Sequence, residues 1–248
     1  MIDKVIILSA GQGSRLLPLT AERPKCLIDF SGKSLIAWQI EILAARGVTD
    51  FHVVTGFMTD MVEAELEQLK PSGTNITVHF NPFYKVADNL GSCWIVRDEM
   101  DGDFMILNGD TLISPEIIET VQNSDSWPIT VTVDIKDQYD SDDMKVSLDG
   151  DRLISIGKTL AAEKSNAESI GFLAFRREGG ALFREKVREF MRTPAGVENW
   201  YLKIIDELAP SGKVGTISIQ GYDWAEVDFL NDVETATALT DQWLDKAL

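Results

Sequence analysis

The segment from Leu8 to Lys25 combines two glycines with two cationic side chains that could bind a phosphate. Gly11 and Gly13 follow an apolar run, and without a Cβ atom they let backbone N–H groups approach an anion. Arg15 and Lys25 add two cations ten residues apart, an arrangement that suits the triphosphate of a nucleotide. The alternative is an ordinary turn with a solvated arginine and lysine. The segment matches neither the dinucleotide-binding pattern, which needs a third glycine, nor the P-loop, which needs Gly-Lys-Ser/Thr.

Two acidic motifs could hold a divalent cation. Asp110 comes directly after an apolar run and beside Gly109, so its carboxylate is a hard oxygen ligand of the kind that Mg²⁺ prefers. Glu226 and Asp228 alternate in a strand-like segment and therefore face the same side. Two acids on one face repel each other unless a cation lies between them. The alternatives are an aspartate that caps the next turn and a solvated face of an edge strand.

The elements that must position these motifs alternate along the first half of the chain. Strand-like runs are followed by helical patterns, with strands predicted at 5–8, 51–55, 76–80 and 104–107 and helices at 34–45, 58–69, 88–100 and 115–121. This alternation predicts an α/β fold, a Rossmann-like, mostly parallel sheet with helices on both faces. Ligands of such sheets bind at the carboxyl ends of the strands, where the glycine loop and Asp110 would lie.

The second half of the chain has a different character. After Trp127-Pro128 we predict shorter, antiparallel strands that elaborate the sheet, at 129–135, 145–148, 153–156, 170–175 and 214–219, with helices at 180–192, 199–208 and from 232. The sequence contains no linker. We therefore predict a single domain over residues 1–248, with a nucleotide-binding half at 1–125 and an acceptor-binding half at 126–248.

Composition excludes several classes of protein. The 248 residues include 23 Lys and Arg against 40 Asp and Glu, a net charge of −17 that argues against nucleic-acid and anionic-membrane binding. No run reaches the roughly 18 apolar residues of a membrane span, so we expect a cytoplasmic protein without membrane insertion. Cys26 and Cys93 read as small buried apolar residues. His52 and His79 lie in separate runs, and we expect no histidine-based metal site.

Residues 11–25 as a whole read G-x-G-S-R-L-x-P-L-T-x-x-x-P-K. This segment resembles the signature of nucleotidyltransferases, which activate sugar phosphates and phospho-alcohols with nucleoside triphosphates, and the later motifs follow in the same order. The resemblance implies that Arg15 and Lys25 are catalytic and that Asp110, Glu226 and Asp228 bind Mg²⁺. It also implies a set of nucleotide-binding residues: Ser9, Ala10, Gly11, Gly13, Ser14, Arg15, Lys25, Gly56, Asn89 and Ser92.

One departure from the family pattern indicates a branch. Members that use sugar phosphates usually carry Gly-Thr-Ala in the helix after the third strand, whereas this chain has Gly91-Ser92-Cys93. It is more similar to cytidylyltransferases that act on phosphocholine and related phospho-alcohols. That similarity implies transfer of CMP from CTP to a phospho-alcohol such as phosphocholine, with release of pyrophosphate. It also implies that Lys145 and Lys158 are catalytic and face the acceptor phosphate or the developing charge.

A choline headgroup would need an aromatic cage and a carboxylate, since aromatic faces attract cations. The aromatic candidates are Trp94, Trp200, Tyr201 and Trp224, and the carboxylate candidate is Glu168. The alternatives are a sugar-1-phosphate nucleotidyltransferase using UTP, dTTP or GTP, and a cytidylyltransferase for a phosphonate or an inositol phosphate.

From other classes, a nicotinamide-dependent oxidoreductase is disfavoured by the missing third glycine. A non-catalytic sensor is disfavoured by the joint presence of Arg15, Lys25, Asp110 and Asp228. The sequence leaves open the headgroup, the nucleotide base, the pathway and the oligomeric state, a homo-oligomer included.

Overall fold

The computed structural model describes residues 1–245 and contains both parallel and antiparallel strands. The strands are β1 (Lys4–Leu8), β2 (Asp29–Phe30), β3 (Lys33–Ser34), β4 (Asp50–Thr55), β5 (Asn75–Phe80), β6 (Phe104–Asn108), β7 (Thr111–Ile113), β8 (Ile129–Asp134), β9 (Lys145–Asp149), β10 (Arg152–Ile156), β11 (Ala167–Phe175), β12 (Val214–Ser218) and β13 (Trp224–Glu226). The helices are α1 (Leu35–Ala45), α2 (Thr59–Leu69), α3 (Asn89–Ile95), α4 (Pro115–Gln122), α5 (Arg177–Phe190), α6 (Tyr201–Leu208) and α7 (Leu230–Asp245).

Nine strands form one sheet in the order β5-β4-β1-β6-β11-β8-β12-β10-β9. The first four run parallel, as the alternation of strands and helices predicts. β11 then enters antiparallel to both β6 and β8, and β9 pairs with β10 and also with β11. The α/β class is confirmed. The sheet is mixed, however, because a strand from the second half of the chain lies beside the central strand β6.

The apolar sequence of β1 explains its central place. Successive side chains of a strand point to opposite faces, so Val5 and Ile7 join one buried core while Ile6 joins the other. Helix α1 packs in the first core, and it begins where the Ser34 hydroxyl accepts a hydrogen bond from the N–H of Ala37 at 3.2 Å. A strand buried on both faces can carry a loop rigidly at its carboxyl end.

A small antiparallel pair brings the two acidic motifs together. β13 pairs with β7 so that Glu226 lies opposite Thr111, the residue after Asp110. The backbone N–H of Val227 donates to the carbonyl oxygen of Asp110 at 2.9 Å. This pair and the β2–β3 hairpin were not predicted from the sequence. The helix predicted at 88–100 is divided into α3 and a 3-10 turn at Arg97–Glu99.

The structure agrees with the expectation for the two cysteines and adds a contact between the two histidines. Cys26 and Cys93 are buried, as predicted, and burial raises the pKa of the Cys26 thiol to about 12. The histidines are close together, because Nδ1 of His52 lies 3.0 Å from Nε2 of His79. With Glu99 they form a group of three side chains that could hold a metal ion. The two histidines lie in separate strands but meet because β4 and β5 are neighbours, and the expectation of no histidine-based metal site stays a prediction.

Within residues 1–245, every helix is too short or too polar to cross a membrane.

Candidate active site

The glycine loop folds over the carboxyl end of β1 and brings Lys25 back toward it. Gly13 has φ +75°, and a Cβ atom placed there would lie only 2.8 Å from the Cβ and Cδ atoms of Lys25. The hydroxyl of Thr20 donates to the carbonyl oxygen of Gly13 at 2.8 Å and closes the loop. A side chain at residue 13 would therefore displace Lys25 as well as strain the backbone.

Gly109 permits an equally close approach between β1 and β6. A Cβ atom there would lie 2.5 Å from the carbonyl oxygen of Leu8 and 2.5 Å from Oγ of Ser9. The loop after β1 and Asp110 after β6 are consequently adjacent at the same edge of the sheet. Oγ of Ser9 is buried and has no hydrogen-bond partner among the described residues, so it is a polar atom available to a ligand.

Lys25 lies between two carboxylates. Its Nζ is 3.0 Å from Oδ2 of Asp110 and also contacts Oδ1 of Asp228. Burial alone would lower the pKa of Lys25, but the charges of Asp110 and Asp228 outweigh burial and raise it. Burial likewise tends to raise the pKa of Asp228, and Lys25 together with Arg15 lowers it below its ordinary value. The lysine is therefore a fixed positive charge and Asp228 a fixed negative one.

Glu226 completes a group of three acids. Asp110, Glu226 and Asp228 each offer a carboxylate oxygen, and these oxygens lie within 4.8 Å of one another. Although Glu226 is accessible to solvent, the walls of the cleft reduce its hydration, and this burial together with the charges of Asp110 and Asp228 raises its pKa to about 8. A bound cation would relieve that repulsion, so the donor set fits a hard divalent metal ion.

Sequence reasoning missed a fourth acid, Asp142. Its Oδ2 lies 3.1 Å from Nη1 of Arg15, and its Oδ1 lies 3.0 Å from Nζ of Lys158. Nη1 of Arg15 also contacts Oδ2 of Asp228 at 2.8 Å. Asp142 thus links the glycine loop to the second half of the chain. The only sequence signal is the acidic run at 140–143, which reads equally well as a solvated loop.

A cavity of about 380 Å³ joins these groups. Many predicted site residues line it: Gly11, Gly13, Ser14, Arg15, Asn89, Asp110, Lys158, Trp200, Glu226 and Asp228. Asp88, Asn108 and Asp142 line it too and were not predicted. A smaller adjoining pocket is lined by Ser9, Gly11, Lys25 and Asp110 among others.

Three predicted nucleotide-binding residues, Ala10, Gly56 and Ser92, line neither the cavity nor the adjoining pocket. A Cβ atom at Gly56 would lie 2.6 Å from the carbonyl oxygen of Ala10, so the two chain segments are in close contact. Ser92 is buried, and its hydroxyl accepts a hydrogen bond from the Asn81 amide at 3.1 Å. Asn89 does reach the cavity, and its side-chain oxygen accepts from the N–H of Tyr201 at 2.9 Å.

Lys145 and Glu168, predicted to face the acceptor, support the loop that carries Asp142. The buried Nζ of Lys145 donates to the carbonyl oxygens of Asp140 at 2.5 Å and Asp143 at 3.4 Å. Glu168 forms an ion pair with Lys136 at 2.9 Å, and burial raises the pKa of Glu168 to about 7. Neither Lys145 nor Glu168 is among the residues that line the cavity, and their contact with the acceptor stays a prediction.

The predicted aromatic cage does not assemble. Tyr201 is fully buried and its hydroxyl donates to Oδ1 of Asn108 at 3.2 Å, while the Trp224 indole donates to Oδ2 of Asp134 at 2.8 Å. Trp94 is covered by the Arg97 guanidinium, whose Cζ lies 4.0 Å from the ring centre. Of the predicted aromatic residues, Trp200 lines the cavity.

Comparisons with known proteins identify a family and several similar proteins. A family model described as nucleotidyl transferase matches residues 4–143. A CTP:phosphoglutamine cytidylyltransferase of Campylobacter jejuni is 26% identical over 92% of this chain and 97% of its own. A choline-phosphate cytidylyltransferase of Streptococcus pneumoniae is 32% identical, over 42% of this chain and 43% of its own. The solved inositol-1-phosphate CTP transferase of T. maritima has the same fold, with a TM-score of 0.79 and 20% identity over 97% of each chain.

Proposed function

The chain belongs to the nucleotidyl transferase family, and from that premise we propose that it transfers CMP from CTP to a small phosphorylated acceptor, releasing pyrophosphate. One observation carries the proposal: Arg15, Lys25 and Lys158 converge with Asp110 and Asp228 at the carboxyl ends of β1 and β6. CTP is proposed as the donor because several similar proteins are named for CTP-dependent transfer. Since a nucleoside triphosphate is the donor, we place the reaction in the cytoplasm.

The cations of the site suit a triphosphate. In the structure each of Arg15, Lys25 and Lys158 is paired with a carboxylate, so their charges are held in place before any phosphate arrives. Arg15 and Lys25 lie on the glycine loop and would bind the β- and γ-phosphates, where negative charge grows as pyrophosphate leaves. Preorganised charge of this kind is commonly the largest contribution to catalysis of group transfer.

The reaction needs no general base. An oxygen of the acceptor phosphate is ionised near neutral pH and can attack the α-phosphorus directly. One P–O bond forms, the bond between the α-phosphorus and the bridging oxygen breaks, and that oxygen leaves with pyrophosphate. Catalysis then depends on positioning the two phosphates in line and on neutralising their charge.

Asp110, Glu226 and Asp228 are the residues that would hold Mg²⁺, because their oxygens converge and their mutual repulsion favours a cation. When bound, the ion would supply charge neutralisation at the reacting phosphate. Lys25, which contacts Asp110 and Asp228, would then exchange carboxylate contacts for phosphate contacts.

The proposed acceptor is a phospho-alcohol or a phosphonate, with phosphocholine as the example that the sequence suggests. A sugar-1-phosphate enzyme remains the main competitor. Pyrophosphate release should be measured over a grid of CTP, UTP, dTTP and GTP against phosphocholine, 2-aminoethyl phosphate, inositol 1-phosphate and glucose 1-phosphate. We expect release with CTP and a phospho-alcohol. Fastest turnover with UTP or dTTP and glucose 1-phosphate would refute the proposal.

A further inference from the structure

The ammonium group of Lys158 lies in a position that binds a cation well. Its Nζ is 3.0 Å from Oδ1 of Asp142 and 5.3 Å from the centre of the Trp200 ring. A carboxylate attracts an ammonium group by charge-assisted hydrogen bonding, and the face of an indole ring attracts it through the ring quadrupole. All three side chains line the main cavity, and Trp200 is 41% exposed there.

Asp142 differs from the other carboxylates of the cavity. Asp110, Glu226 and Asp228 form the convergent group that suits a metal ion, and Asp88 caps α3, where its Oδ1 accepts from the N–H of Asn89 at 3.0 Å. Asp142 instead bonds to Arg15 and Lys158. The proposed function assigns Arg15 to the phosphates of CTP, and the family resemblance assigns Lys158 to the acceptor phosphate. Once they turn to the phosphates, the Asp142 carboxylate faces two phosphorylated substrates without its former partners. Such a charge is unfavourable unless another cation replaces them.

We propose that Asp142 and Trp200 bind a primary ammonium group on the acceptor, so that the preferred substrates are aminoalkyl phosphates or phosphonates. This inference rests on the proposed function, since it names the acceptor class of the same cavity. The acceptor's ammonium group takes the position between carboxylate and ring that the Lys158 ammonium group occupies in the structure. Lys158 then moves to the acceptor phosphate, and each charge in the cavity keeps a partner.

The same geometry favours a primary ammonium group over the trimethylammonium group of choline. A trimethylammonium group has no N–H to donate, so its recognition depends on several aromatic faces around it. Tyr201 is fully buried, the Trp224 indole is bonded to Asp134, and neither residue lines the cavity, which leaves Trp200 as the predicted cage residue that lines it. A primary ammonium group needs one ring face and a carboxylate acceptor, and the cavity provides both.

The decisive comparison uses two acceptors of nearly equal size. 2-Aminoethyl phosphate and propyl phosphate differ by an ammonium group in place of a methyl group. For the wild-type chain with CTP, we expect kcat/KM for 2-aminoethyl phosphate to exceed that for propyl phosphate by about 10- to 100-fold, the effect of one charge-assisted hydrogen bond. Phosphocholine should fall between the two. Equal values for 2-aminoethyl phosphate and propyl phosphate, or a preference for phosphocholine, would overturn the inference.

The Asp142→Asn variant tests whether Asp142 causes the preference for 2-aminoethyl phosphate. We expect the ratio of kcat/KM between 2-aminoethyl phosphate and propyl phosphate to fall by about tenfold or more in this variant. Asp137→Asn, which removes an exposed acid from the same loop, should keep the wild-type ratio. A merely structural role for Asp142 would lower both values together, and an unchanged ratio in Asp142→Asn would refute the assignment.

Calorimetry separates failure of this inference from failure of the proposed function. If no acceptor releases pyrophosphate from CTP, the proposed function is wrong. Direct binding of 2-aminoethyl phosphate and propyl phosphate to the wild-type chain still decides whether an ammonium site exists. Tighter binding of the amine, lost in Asp142→Asn, supports the site, and equal binding of both ligands refutes it.

Discussion

Replacement of Lys25 by alanine tests whether the paired charges of the cavity act in catalysis. The Lys25 side chain is 12% exposed and contacts both Asp110 and Asp228. Loss of one preorganised charge facing a developing anion lowers turnover by about 100- to 1000-fold, equivalent to about 2.7–4 kcal/mol. We therefore expect kcat for pyrophosphate release to fall by at least about 100-fold in Lys25→Ala, with a smaller change in KM for CTP.

The control for this variant is Lys164→Ala, which removes a lysine from an exposed 3-10 turn. Circular dichroism and thermal unfolding of both variants would show whether the fold is retained. Without Lys25, Asp110 and Asp228 lose their shared cation, so some loss of stability is also expected. If folded Lys25→Ala keeps turnover within about threefold of the wild type, Lys25 serves only to neutralise the two acids, and the catalytic argument fails.

Three further changes test the glycine loop, the three acids that would hold the metal ion, and the buried Glu168. Gly13→Ala should lower the free energy of unfolding by at least about 1 kcal/mol in chemical denaturation, since φ is +75° and the new Cβ would meet Lys25; unchanged stability would contradict this. Asp110→Asn should weaken Mg²⁺ binding in calorimetry by about tenfold or more, relative to Asp137→Asn. Glu168 has a pKa of about 7 in the folded chain against an ordinary 4.5, so the native state retains its proton longer than the unfolded state. The free energy of unfolding should therefore fall by about 2 kcal/mol as the pH rises from about 4.5 to about 7. Urea denaturation at pH 5 and pH 8 would measure this fall, which should be smaller in Glu168→Gln than in the wild type.

The parts of the fold and site that follow from local pattern could be predicted from the sequence. The apolar run of β1 and the glycines after it act within a few residues of one another, so the position of the loop follows from the pattern. Glu226 and Asp228 were joined to Asp110 through the resemblance to nucleotidyltransferases, and the β13–β7 pair that brings them together did not follow from the residues alone.

The features that depend on tertiary pairing could not be predicted. His52 and His79 meet because β4 and β5 are neighbours in a register that sets His79 opposite Val54 and His52 opposite Thr77, which makes the two histidines diagonal neighbours. β11 enters the sheet beside β6 in a direction that no residue pattern specifies. Tyr201 and Trp224 are aromatic, as a cation cage requires, yet Tyr201 is fully buried, the Trp224 indole is bonded to Asp134, and neither lines the cavity.

The net charge of −17 does not exclude the binding of anionic substrates, because three cations lie at the cavity and its adjoining pocket. Arg15, Lys25 and Lys158 form ion pairs with Asp110, Asp142 and Asp228. Each substrate phosphate that takes a cation must therefore free a carboxylate, and each freed carboxylate needs a new positive partner. Asp110 and Asp228 can be satisfied by a metal ion, whereas Asp142 lies outside that group. The binding of the nucleotide, that of the metal ion and that of the acceptor headgroup therefore depend on one another through these ion pairs. Asp142 would select acceptors by the charge of their headgroup.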